Sequence, residues 1–63
     1  MGKLDGYSLE DRRRISALAA KFIQGMIDRE EIPCTTEAIK AATPSAVQDA
    51  KEVINAVNEF LRG

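Results

Sequence analysis

A chain of 63 residues holds one domain and buries a smaller fraction of its surface than a larger protein does. Its 44% hydrophobic and 30% charged residues describe a folded chain. A formal net charge of −1 and a pI near 5.3 give no general attraction to nucleic acid or to an anionic membrane. Cys34 is the only cysteine and histidine is absent, which excludes an internal disulfide and a Cys/His metal site, so association with another chain is the remaining supplement to a small core.

Residues 1–7 read as a short N-terminal arm, with Asp5-Gly6 as a turn signal, and residues 8–63 as a single helical domain. Met1-Gly2 has the start of a myristoylation signal, but Gly6 stands where Ser or Thr is needed. No apolar run reaches the length of a membrane span or of a signal-peptide core, and a lone cysteine suits a reducing compartment. The expectation is a cytoplasmic protein. Ser8 then reads as the N-cap of a first helix, with Asp11 at the spacing of a partial capping box.

The first helix is predicted over residues 9–31. Ile15, Leu18, Ala19, Phe22, Ile23, Met26 and Ile27 cover about half of its circumference at ~100° per residue, an unusually broad apolar face. Ile32-Pro33 ends it, because a residue before proline is pushed out of the α region. Thr35 or Thr36 can cap a short helical turn through Ala42. Thr43-Pro44 then reads as the start of a last helix over 44–62, with Thr at the N-cap and Pro at the first helical position. Along that helix Val47, Ala50, Ile54, Val57 and Leu61 form a seam, flanked by Val53 and Phe60.

These elements predict an all-α fold: an antiparallel helical hairpin of two long helices with a short intervening helical turn, dimerising into a helical bundle. The register that follows sets Ile15 opposite Leu61, Phe22 opposite Ile54, and Gly25-Met26 opposite Ala50. Gly25 would then be the point of close backbone approach. One hairpin leaves apolar side chains off its seam, and Leu9, Ile23, Ile27, Val53 and Phe60 are the predicted partner-binding residues. Tyr7 is expected to pack over the end of the hairpin.

Chemistry is sparse. There is no Gly-rich phosphate loop, no Gly-x-Ser-x-Gly elbow and no Cys/His pair, so the expectation is a non-enzyme with no cofactor, no metal and no small-molecule substrate. Arg12, Arg13 and Arg14 are the most basic run, but consecutive helical residues fan around the axis instead of forming one patch. The first helix also carries cations early and acids late, against its dipole. Compensation is expected from the antiparallel last helix with Glu59, or from the first helix of a second copy. Residues 35–54 resemble a helix-turn-helix in outline, without the turn glycine and with Asp49 and Glu52 on the would-be recognition helix.

The function expected is that of a small protein-binding module (an adaptor, inhibitor or assembly subunit) acting through its apolar helical face as a homodimer or on a larger protein. The alternative is a nucleic-acid-binding regulator with a degenerate helix-turn-helix, using Arg12, Arg13, Arg14 and Lys21.

Overall fold

The computed structural model describes residues 6–63. Most of the predicted arm, with the Met1-Gly2 signal, lies outside the described residues. Two α-helices pack against each other, α1 at Leu9–Asp28 and α2 at Thr36–Arg62, and no strand occurs among the described residues.

Gly6 takes the left-handed conformation that the turn before α1 demands, with φ +94°. Ser8 is the N-cap: its Oγ accepts a hydrogen bond from the Asp11 amide at 3.1 Å, which satisfies one of the donors orphaned at a helix start. Asp11 does not complete a capping box. Its carboxylate accepts a bond from Asn58 Nδ2 across the hairpin at 3.2 Å.

α1 ends three residues before the predicted stop. Arg29 is the C-cap, the Glu30 amide bonds the Ile27 carbonyl at 3.0 Å, and the Glu31 amide bonds the Met26 carbonyl at 2.8 Å. That pair of bonds is a Schellman motif, with Glu30 at φ +61° in the position glycine normally takes. The chain reverses through residues 29–35 and leaves Ile32 half-buried in the turn.

The predicted intervening turn does not exist as a separate element, and Thr43-Pro44 does not start a helix. Thr35 caps α2, its Oγ1 accepting from the Ala38 amide at 3.2 Å, and the helix runs unbroken through Pro44. Proline has no N–H to give the carbonyl of Lys40. Lys40 and Pro44 are both exposed, so the unpaired carbonyl lies on the solvent side. One residue earlier, the Thr43 hydroxyl donates to the Ile39 carbonyl at 2.7 Å. Continuity is favoured because the spacing of Ile39, Ala42, Ala46, Ala50 and Ile54 never breaks at the proline. A single helix keeps all five on one face.

The core is Ile15 and Ala19 from α1 with Ala46, Ala50 and Ile54 from α2; Tyr7, Leu18, Phe22, Ile23 and Val47 pack against it, half-buried. The predicted register is wrong by two helical turns. Ile15 clusters with Ile54, and Leu61 is 74% exposed. The error follows from the misread boundary: residues 36–43 belong to α2, so the hairpin closes sooner and α2 meets α1 earlier along its length. Two polar contacts fix the observed register at the open end, Asn58 to Asp11 and Asn55 Nδ2 to the Tyr7 hydroxyl at 3.1 Å. Tyr7 does pack over the hairpin.

Gly25 is not the point of close approach. A Cβ there would meet only the tip of the Arg29 side chain, a flexible group on the same helix. The small residues that bring the helices together are Ala19, Ala46 and Ala50.

Candidate functional site

Helix α2 carries its apolar stripe further than α1 can match. Beyond Ile54 come Val57, Phe60 and Leu61, with Val53 alongside. In the observed register Val57 and Leu61 face the start of α1, with Val53 and Phe60 on the flank beside them, and the residues of α1 there are Leu9, Glu10, Asp11, Arg12, Arg13 and Arg14. A charged first turn offers an apolar stripe nothing to bury against. Val53, Val57, Phe60 and Leu61 are therefore exposed, Phe60 at 84%, and Leu9 is 62% exposed at the same end of the hairpin. These five are the exposed large hydrophobics among the described residues.

Of the predicted partner-binding residues, Leu9, Val53 and Phe60 lie at this end. Ile23 and Ile27 do not: both are half-buried, and Ile23 packs against the core. They also lie on the other flank. Lys21, Gly25 and Arg29 of α1 share one groove with Ser45, Ala46 and Asp49 of α2. At ~100° per residue Ile23 sits ~200° around α1 from Lys21, whereas Val53 and Phe60 fall within ~40° of Asp49 on α2. The broad apolar face of α1 is thus split between the seam and the far flank. Val57 and Leu61, which the sequence pattern places in the seam, are exposed beside Val53 and Phe60. Their signal was present, since the charged run at residues 10–14 leaves the end of α2 without an apolar counterpart.

Within the chain, Arg12 and Arg14 find their partners in their own segment and not on α2. Arg14 pairs with Glu10 and, at 3.7 Å, with Asp11. Arg12 Nε donates to the Tyr7 carbonyl at 3.2 Å. Arg13 has no ion-pair partner among the described residues, and Glu59 pairs with none of the arginines. At the other end Arg29 pairs with Glu31, and Gln24 Nε2 donates to Asp28 at 2.9 Å. Arg12, Arg13, Arg14 and Lys21 form no single patch, because Lys21 lies two turns on in the groove. The helix-turn-helix outline also fails: residues 36–54 are one straight-through helix, with no turn to set a recognition helix at an angle.

That groove encloses about 320 Å³ and is open to solvent, with Phe22, Gly25 and Met26 on its floor. Its cations and acids alternate (Lys21 and Arg29 against Glu31 and Asp49), so no one sign of charge prevails. Cys34 is exposed in the reversal between the helices, and no group of His, Cys, Asp and Glu among the described residues could hold a metal ion. No helix among the described residues is long and apolar enough to cross a membrane. Compared with protein-family models, with curated proteins and with solved structures, the chain matches none.

Proposed function

We propose that this chain is a non-catalytic protein-binding module, an adaptor, inhibitor or assembly subunit, that docks through the apolar end formed by Val53, Val57, Phe60, Leu61 and Leu9. Its partner is a second copy, a larger protein, or both. The observation that carries the reading is the stripe of α2 that outlasts its partner helix, headed by an 84% exposed phenylalanine. Contiguous exposed apolar surface on a small protein marks an interaction site, and an aromatic anchor is the usual energetic centre of one.

The test is a photo-crosslinking phenylalanine analogue placed at Phe60 and, as control, at Arg13, in the native host. Protein adducts at position 60 and few at position 13 are expected. Equal adducts at both positions, or none at 60, would exclude this face as the docking site.

A further inference from the structure

We infer that the occupant of the apolar end is a second copy of this chain, paired two-fold through the 53–61 stripe, and that the hairpin folds as it pairs. This rests on the docking reading above and names the partner that reading leaves open.

Three observations carry it. The first is the poverty of the interior. Five residues are buried among those described, and three of them are alanine, with a single methyl each. The Cα trace is 14 Å deep along its shortest axis, one layer of helices, so among the described residues side chains are buried at the seam alone. Chains built this way commonly have no stable folded monomer and take their stability from association.

The second is surface area. The chain exposes 4865 Å². A compact monomer of this mass exposes roughly 4,000 Å². An elongated two-helix layer carries such an excess, and its exposed sides hold the ~800 Å² that each partner surrenders in a standard protein interface. The radius of gyration agrees, at 12.8 Å against roughly 10.6 Å for a compact domain of this length.

The third is self-complementarity. Val53, Val57 and Leu61 are evenly spaced at four residues, so an antiparallel copy centred on Val57 meets the stripe in register. A two-fold contact uses one patch for both partners in this way. On the outer flank of the stripe Ala56 and Gly63 are small enough for close approach, with Glu52 and Glu59 beyond them. A net charge of −1 per chain leaves little long-range repulsion between copies.

The experiment follows the full chain by sedimentation velocity and far-ultraviolet circular dichroism from nanomolar to near-millimolar concentration, with Leu61→Asp and Phe60→Asp beside the wild type. In the expected result helicity and sedimentation coefficient fall together on dilution, at one midpoint. Each substitution moves that midpoint to a concentration at least about tenfold higher. A fully helical monomer at every concentration would overturn the inference, as would a helical monomer appearing below the dissociation midpoint. A dimer untouched by both substitutions would place the contact elsewhere and overturn it too. The two proposals fail separately. A folded monomer whose position 60 crosslinks a different protein sinks the self-pairing and keeps the docking reading, whereas a folded monomer with no adducts at 60 sinks both.

Discussion

Glu30 holds a left-handed backbone conformation that costs an L-residue about 1 kcal/mol, at the one point where the chain must reverse. Relief of that strain, less the ~0.4–1 kcal/mol that glycine's freedom costs through the unfolded chain, should leave Glu30→Gly more stable by up to about 1 kcal/mol, read as a higher urea midpoint at fixed protein concentration. Ala50 is the opposite case. It is fully buried between the helices, so Ala50→Leu should cost about 1–3 kcal/mol through overpacking, in the same measurement. Gly25→Ala should gain close to 1 kcal/mol, because the helix acquires a better former and only the mobile end of Arg29 has to move. If Gly25→Ala proved as damaging as Ala50→Leu, the assignment of the close approach to the alanines would be wrong.

At the scale of elements, much of the hairpin is legible in the sequence. Ser8 and Thr35 are capping residues of the expected type, and the apolar spacing marks both helices. Two boundaries are not legible, for different physical reasons. The end of α1 is a Schellman motif without its glycine, so the residue that normally announces it is missing. The unbroken α2 contains a proline that local rules place at a helix start. Tertiary burial of Ala46, Ala50 and Ile54 outweighs that local preference. The mistaken boundary then displaced the register and sent Val57 and Leu61 into the seam. The exposure of Leu9, Val53 and Phe60 is legible because their positions off the apolar seam do not depend on register. Pro44→Ala restores the missing N–H and should stabilise α2 by up to about 3 kcal/mol, visible as a raised thermal midpoint and greater helicity. An unchanged midpoint would mean that the exposed Lys40 carbonyl loses nothing to solvent.

For the whole molecule, the balance of forces is apolar and not ionic. The ion pairs of Arg14 with Glu10 and Asp11, and of Arg29 with Glu31, are local and solvent-facing, and such pairs contribute at most about 1 kcal/mol each. Raising salt should therefore leave the thermal midpoint level or raise it, since screening removes little and apolar burial is unimpaired. A steep loss of stability with salt would show that charge, not the apolar seam, holds the fold together. The same measurement series checks concentration: a thermal midpoint that climbs with protein concentration is the signature of a fold completed by association.

The alternation of three and four residues along α2 has one more effect. Ile54 and Leu61 are a heptad apart, so each is a berth that Ile15 can occupy, and grease alone chooses weakly between them. The short reversal over residues 29–35 makes the choice, and two asparagines hold it: Asn58 latched to Asp11 and Asn55 latched to Tyr7. Those latches hold the molecule as a ratchet at one stop, and the stop, not the rods, decides which apolar side chains are left exposed.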